Sequence, residues 1–520
     1  MTTMKNILKT ILLVGVTAVT VASCDLDLRP KSAIVFDEDK PFFTSVTDIE
    51  SFRNGVLASY RAVQYGSFTQ STEVMCDGFN ALISYGNNYG SIHRTDATFT
   101  TSDSYAESMW ANHYSVIKNY NIAMEQADHI IDPDSEFYNE ELAPYAEWLK
   151  GTAQFCRASS YLMLARHFGP DYDPDTAEED LCVPLVLKYD QNEKPFRATM
   201  AEVYAQIDWD LSEAQKLLEG KIKQGAPRSA DVTVDAIKAL KARMYLDMEE
   251  YADAAKMADE VISSEAGYAL SATLAEMDAE FNDDSGKEAI IQLYASKAEG
   301  IVGNTIYTQV NRDAKGKYFQ PYYIPSKKLI DAYSMNDLRF RTWFSNNLYP
   351  VFANGTRYKN IYTFIKYLAN WSLEPGTEDA GDPETGAHAA KPLMISEMYL
   401  ISAEANLLDN NLMKSRASLN ALQTARGASL TSATMENIKL EWFKETVGEG
   451  LRLSCLKRWG DGFAGRPAQS AALEANIVNT GTYFDERTID PDAHVLVWPV
   501  PSYELKLNRN LVQNPGYGAE

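Results

Sequence analysis

The chain has 520 residues, with 48 Lys and Arg against 72 Asp and Glu, a net charge of −24. That length leaves room for about three or four core-sized units, while the charge argues against nucleic acid as a partner and offers no basic patch to anionic lipid. The five cysteines, Cys24, Cys76, Cys156, Cys182 and Cys455, are too scattered for a disulfide framework or a paired metal-ligand motif. With six His and no H-E-x-x-H, zinc has no support either.

In chain order, Lys5 and Lys9 precede an apolar run, Ile11 to Ala22, interrupted by Gly15, Thr17 and Thr20. A basic start, a short apolar middle and a small-residue exit form an export signal, too short for a membrane span of ~20 residues. Val21-Ala22-Ser23 run into Cys24, which resembles a bacterial lipobox. Residues 1–23 therefore read as a lipoprotein signal peptide and Cys24 as the lipid attachment point, two or more acyl chains giving a stable membrane anchor. The competing reading is an ordinary secreted protein with a chance cysteine. Cleavage leaves 46 basic and 72 acidic residues, a net of −26. A charged tether, residues 24–40, ends at Pro41.

Helical periodicity then predicts helices over Val46–Tyr60, Glu107–Ile131, Pro144–Phe168, Met200–Leu218, Thr233–Leu246, Tyr251–Ser263, Leu393–Leu408, Met413–Arg426 and Met435–Trp459. Three share a signature in which a small residue precedes a bulky one by three: Arg157-Ala158-x-x-Tyr161, Lys241-Ala242-x-x-Tyr245 and Glu404-Ala405-x-x-Leu408. Ala254 and Ala258, then Ala417 and Ala421, follow in partner helices. This is how tetratricopeptide helix pairs approach closely, although ordinary bundle packing also produces it. The alanines are 84 and 163 residues apart, so this is no tandem array. Long insertions, about 171–197, 268–323 and 338–391, rich in Gly, Asn, Asp, Pro and aromatics, separate the pairs, and loops of such length are usually functional or contain short structure of their own.

Several motifs stand in order along the chain: "CDLDLRP" at the lipobox, "MWANHYSVIKNYNIAM" from Met109, "KGTAQFCRASSYLMLARHFG" from Lys150 and "PLVL" from Pro184. "IPSKKLIDAYSMNDLRF" from Ile324, "ISEMYLISAEANL", "GEGLRLSCLKRWG" from Gly448 and the closing "VWPVPSYELKLNRNLVQNPGY" complete them. Together and in this order they resemble the SusD/RagB family of outer-membrane nutrient-binding lipoproteins of Bacteroidetes. "EWFKETVGEG" from Glu441 departs from the family, which more often opens this helix with a Glu-Arg pair. The resemblance implies a mainly α fold, with tetratricopeptide-like helix pairs and loop-rich insertions forming the ligand face of a single binding domain, residues 41–520. It also implies a cell-surface protein, facing the exterior of the outer membrane, that captures oligosaccharides for a SusC-like TonB-dependent transporter and is not an enzyme. An oligopeptide-binding RagB-like subunit and a periplasmic tetratricopeptide scaffold are the alternatives.

The residues themselves show no G-x-S-x-G elbow and no P-loop. Glu445, Glu449 and Arg452, at i, i+4 and i+7, read as a helix-face ion pair. "DYDPDTAEED", Asp171 to Asp180, lacks the Gly and Glu of an EF-hand loop, having Thr176 and Cys182 there, so calcium has little support and no cofactor is expected. Sugar binding asks for aromatic faces with amides and charges nearby. "ISYGNNYGSIHR" supplies Tyr85, Asn87, Asn88, Tyr89, His93 and Arg94. "NTIYTQVNRDAKGKYFQPYY" supplies Tyr307, Asn311, Arg312 and Tyr318, with Phe319, and "LANWSLEPG" supplies Trp371. If Tyr85 and Tyr89 stack on sugar rings, Tyr89→Ala should weaken binding by ~1 kcal/mol and leave stability nearly unchanged.

Overall fold

The computed structural model describes residues 42–520 apart from 84–87, 191, 222–223, 300–304, 309, 314–315, 353–354, 369, 371, 374–385, 479–487 and 519–520. The chain divides into two units, Met1–Thr44 and Ser45–Glu520. In the described part of the first, the rings of Phe42 and Phe43 meet edge-on at 5.0 Å. Cys24 and the tether lie outside the described residues.

The principal helices of the second unit are α1 (Val46–Ala62), α2 (Ser67–Met75), α3 (Ser104–Ile131), α4 (Ala143–Phe168), α5 (Met200–Leu218), α6 (Val234–Asp247) and α7 (Tyr251–Ile262). They continue as α8 (Leu274–Phe281), α9 (Leu338–Trp343), α10 (Ile395–Leu408), α11 (Leu412–Ala425), α12 (Met435–Glu445) and α13 (Arg452–Arg458). The fold is mainly α, as the sequence implies. Start signals are chemical: Asp103 caps α3 through the N–H groups of Tyr105 and Ala106, Thr199 and Glu202 form a capping box on α5, and Thr233 caps α6. Helix packs on helix in sequence from α3 to α7. Helix α10 then packs against α7, and α11 against α10.

The alanines of the signature, Ala158, Ala242 and Ala405, are buried at these contacts, as are Ala254 and Ala258. At Gly151 of α4 the approach is closer still, because a Cβ would stand 2.9 Å from Cγ of Leu218 in α5. The third pair differs: Ala417 is exposed and Ala421 half-buried, and α11 instead buries Ser415, Leu419, Leu422 and Gln423. The charged residue before each signature alanine also works. Arg157 grips Asp210 of α5 with two bonds of 2.9 and 2.6 Å, Lys241 reaches Asp208 at 3.2 Å, and Glu404 accepts Arg458 of α13 at 2.9 Å.

The predicted helix Met435–Trp459 is broken. Gly448 and Gly450 take φ of 81° and 74°, and a Cβ on Gly450 would meet the Thr69 backbone at 2.8 Å. Glu445, Glu449 and Arg452 consequently share no helix face. Glu445 binds Arg339 and Arg426, Glu449 binds Lys366 at 2.7 Å, and Arg452 binds Asp77 at 2.9 Å.

Short strands lie within and beside the insertions: β1 (Phe79–Ala81), β2 (Ala289–Ile291), β3 (Val310–Asp313), β4 (Gly316–Phe319), β5 (Tyr323–Pro325) and β6 (Leu393–Met394). β2 pairs antiparallel with β6, which returns the chain to α10 and takes Leu393 and Met394 out of the predicted helix. β1 pairs antiparallel with β5, Asn80 opposite Ile324, and β3 with β4. Beside the β1–β5 pair, Leu82, Ile324, Phe352, Ile361, Leu473 and Ile477 form a small core of their own.

Glu73 of α2 is buried, and its Oε2 accepts the Gly450 N–H at 3.1 Å. Burial pushes its carboxyl up to about 7, against the pull of that bond, of Lys366 and of Arg452. A raised carboxyl contributes stability that is present below about pH 4.5 and is lost as pH rises through about 7. Glu73→Gln keeps the acceptor and removes the titration. Its stability should then stay level across that window while the natural protein loses about 3 kcal/mol, as chemical denaturation at successive pH values would measure.

Candidate functional site

Past β1 the chain runs over the small core. Ile83 donates its N–H to the Asn476 carbonyl at 2.9 Å, Val478 donates to Ala81 at 2.8 Å, and Leu82 donates to Tyr322 at 2.7 Å. The Tyr323 hydroxyl donates to the Asn88 carbonyl at 2.6 Å. On the other side Val351 donates to the Phe319 carbonyl at 2.8 Å and Tyr358 to Pro350 at 3.0 Å. Residues 82, 83 and 88, 318–323, 349–352 with 356–358, and 476–478 are thus gathered on one loop surface. Two of the three candidate stretches of the sequence meet there.

Individual residues fare differently. Asn88, Arg94 and Tyr318 are half-buried, with Tyr318 opposite Asn311 and Arg312 opposite Lys317 in the β3–β4 ladder. Arg94 leans on Asp96 at 3.4 Å and on Thr98 at 3.1 Å. Tyr85, Asn87 and Trp371 lie outside the described residues.

Tyr89, His93 and Tyr307 belong to the interior. Tyr89 is 6% exposed, its ring lies 4.3 Å from that of Tyr105, and its hydroxyl donates to Gln70 at 3.1 Å. Burial pushes that hydroxyl's pKa up. With φ of 53° it turns the chain into the one-turn helix Gly90–Arg94. His93 is a tie: one ring nitrogen lies 2.8 Å from the Val74 carbonyl and the other accepts the Ala81 N–H at 3.3 Å, which fixes Nδ1 as the protonated nitrogen. Tyr307 is sealed against Phe79 at 4.6 Å and Phe364 at 5.1 Å. Each was placed on the ligand face by composition, which does not distinguish a loop aromatic that points out from one that plugs the loop to the core.

The same surface holds aromatics that sequence reasoning passed over. Tyr349 is 39% exposed at a left-handed φ of 45°. Tyr358 stacks on Phe352 at 4.3 Å and 29°, and its hydroxyl accepts from Asn476 at 2.7 Å. Ile83 is 56% exposed. The signal was available, since "SNNLYP" and "ANGTRYKN", Ser345 to Pro350 and Ala353 to Asn360, repeat the tyrosine-plus-amide composition of Ile83 to Arg94.

A separate cavity of about 80 Å³ is lined by Arg166, Arg243, Tyr367, His388, Lys391 and Glu397, among others. Its charges are already matched, Arg166 by Asp247 at 2.7 Å, Arg243 by Glu397 at 2.6 Å and Lys391 by Asp284 at 2.5 Å. It has room for several waters and offers a saccharide no open aromatic floor, so the loop surface is the better candidate.

Among the described residues no three His, Cys, Asp or Glu side chains converge to hold a metal ion, and no helix is long and apolar enough to cross a membrane. Cys76, Cys156, Cys182 and Cys455 are buried free thiols. In the acidic stretch 171–180, burial raises the Asp171 carboxyl to about 6, and Asp173 and Thr176 close turns on neighbouring N–H groups.

Residues 244–517 match the model of the SusD family. The chain belongs to the SusD family. Residues 26–246 match a second SusD-like model, described as starch-binding and associating with the outer membrane. The fold is similar to that of a SusD superfamily protein from Bacteroides thetaiotaomicron, at 22% identity and a TM-score of 0.72, over 91% of this chain and all of that one. It is also similar to a laminarin-binding SusD-like protein (20% identity, TM-score 0.64, 91% and 100% coverage). Surface glycan-binding protein A of Bacteroides fluxus gives 19% identity and a TM-score of 0.65 over 91% and 100% of the two chains. No curated protein matches the sequence. The SusD-like arrangement of helix pairs with loop insertions, expected from the motifs, is therefore the observed one.

Proposed function

We propose that this SusD-family protein is a lipid-anchored, non-catalytic subunit at the exterior of the outer membrane, which captures oligosaccharides and passes them to a SusC-like TonB-dependent transporter. The observation that carries the reading is the loop surface, where the partly exposed rings of Tyr318, Tyr349 and Tyr358 stand on segments tied together by backbone hydrogen bonds, and Tyr358 packs on the small core and accepts from the amide of Asn476. Flat apolar rings with convergent polar groups suit the C–H faces and hydroxyls of sugars. Relatives of the same fold named for laminarin and surface-glycan binding support it, and the lipobox at Cys24 supports the anchor.

The test is affinity electrophoresis of residues 25–520 through gels containing individual polysaccharides, with chromatography of the recovered glycan. Retardation without new products is expected. Products that accumulate in proportion to protein would make it an enzyme, and retention of oligopeptides in place of every glycan would make it a peptide carrier. In cells, Cys24→Ala should abolish labelling by a fatty-acid analogue and leave the protein released or unprocessed. Persistent label and surface display would sink the anchor.

A further inference from the structure

The cavity of about 80 Å³ lies where α4, α6 and the start of α10 meet the residues after α1 and the chain from His388 to Met394. Arg166 of α4 holds Asp247 through Nε at 2.7 Å and Nη2 at 2.9 Å. Arg243 stands one helical turn before Asp247 on α6, and it holds Glu397 through Nε at 2.7 Å and Nη2 at 2.6 Å. Each guanidinium is neutralised in this way, and each keeps its Nη1 without a hydrogen-bond acceptor among the described residues. The side-chain amide nitrogen of Gln64, in the same lining, is buried with no acceptor either.

Acceptors line the same space. His388 has Nδ1 2.8 Å from the Gly386 carbonyl, which makes Nδ1 the donor and leaves Nε2 to accept. Glu449 receives the Tyr367 hydroxyl at 2.8 Å and Lys366 at 2.7 Å on Oε1, and its Oε2 has no donor. The wall that carries them is held under strain. Tyr367 takes a left-handed φ of 60° and its ring stacks on His388 at 4.2 Å and 16°. Asp284, at φ 52°, is fixed by the Asn370 amide at 2.7 Å and the Ala389 N–H at 2.9 Å. Non-glycine residues kept in that region mark places where the surroundings over-determine a geometry, and such places cluster at ligand sites.

We propose that this cavity binds a neutral polyhydroxy compound of three or four carbons, its hydroxyl oxygens accepting from Arg166, Arg243 and Gln64 and its hydroxyl hydrogens going to His388 and Glu449. A hydroxyl both donates and accepts, so it suits a wall that offers both. An anion would bring in a charge that no lining cation is free to match, and burying such a charge is costly. At about 10–15 Å³ for each water-sized group, the cavity admits roughly six non-hydrogen atoms, about half of a hexose. The site is separate from the loop surface and does not rest on the glycan reading.

The experiment is saturation-transfer NMR on the purified protein, with glycerol and erythritol as probes, lactate as an anion of glycerol's size and mannitol as a larger polyol. Glycerol and erythritol should bind and compete with each other, with a dissociation constant on the order of 1 mM for so small a ligand; lactate and mannitol should do neither. Gln64→Leu removes one donor, and His388→Phe removes one acceptor while keeping a ring on Tyr367. Each should weaken glycerol binding about fivefold, the worth of one hydrogen bond, and leave any retardation by polysaccharides as in the natural protein. Lactate binding in place of glycerol overturns the neutral class, and mannitol competing as well as erythritol overturns the size limit. Glycerol bound equally by the natural protein and both variants lies elsewhere and overturns the site. No signal from any probe means that water alone fills the cavity and overturns the proposal. Loss of polysaccharide retardation in a variant whose melting temperature is unchanged merges the cavity with the glycan surface and overturns their separateness.

Discussion

Glu445→Ala is expected to cost about 3–5 kcal/mol of stability, the range for removing one partner from a buried ionic cluster. Glu445 accepts from Arg339 at 2.9 Å and from Arg426 at 3.1 and 2.5 Å. Arg426 also forks onto Glu288 with two bonds of 2.8 Å, and Arg339 onto Asp337 at 2.9 and 2.7 Å and Glu441 at 2.7 Å. All six side chains are buried. They come from the end of α11, from α9 and the Asp337 that caps it, from α12 and from the strand entry at Glu288, so the cluster joins the helix pairs to two of the three insertions. Alanine leaves two guanidinium groups short of one negative charge where water does not reach. Burial pushes the Glu445 carboxyl up, but Arg426 and Arg339 outweigh it and hold it well below the usual carboxylate range. Its contribution is therefore present above the ordinary value near 4.5 and disappears as pH falls below it. Denaturation curves of Glu445→Ala and Glu445→Gln at pH 7 and in acid would measure both effects. A loss under about 1 kcal/mol for alanine at neutral pH would mean that the cluster sets geometry and adds little net energy.

The helix pairs were legible because their signal is local. Met200–Leu218 is read to the residue, and Thr233 and Leu246 are each one residue from the observed limits of α6, since caps and a 3.6-residue period are written in neighbouring side chains. The insertions were not legible, because strands of two to four residues have no period to read and their partners are remote. Phe79 pairs with Pro325 and Leu82 bridges to Ile477. The break inside Met435–Trp459 was written in Gly448 and Gly450, but its cause is tertiary: Phe364 and Thr69 occupy the space a side chain would need. Composition marked segments that the fold gathers on one surface, and it also marked Tyr89, His93 and Tyr307, which the fold buries. Whether Tyr89 points inward depends on Gln70 and Tyr105, residues that no loop composition reveals.

Tyr89→Ala is accordingly expected to destabilise the fold by about 3 kcal/mol or more, as large-to-small changes of buried aromatics do, where its loop position alone suggested loss of ligand with unchanged stability. The substitution removes the ring packed on Tyr105 and strands Gln70 Oε1 without its donor, while alanine at φ 53° keeps the backbone strain and offers nothing to offset it. Tyr349→Ala supplies the contrast, because its partly exposed ring can leave at little cost to packing. If Tyr349 is a ligand contact, its removal should weaken glycan binding by about 1 kcal/mol or more with a melting temperature close to that of the natural protein. Thermal melts and titration calorimetry on both variants separate the roles. Normal stability with lost binding in Tyr89→Ala would return that ring to the ligand face, and normal binding in Tyr349→Ala would remove Tyr349 from it.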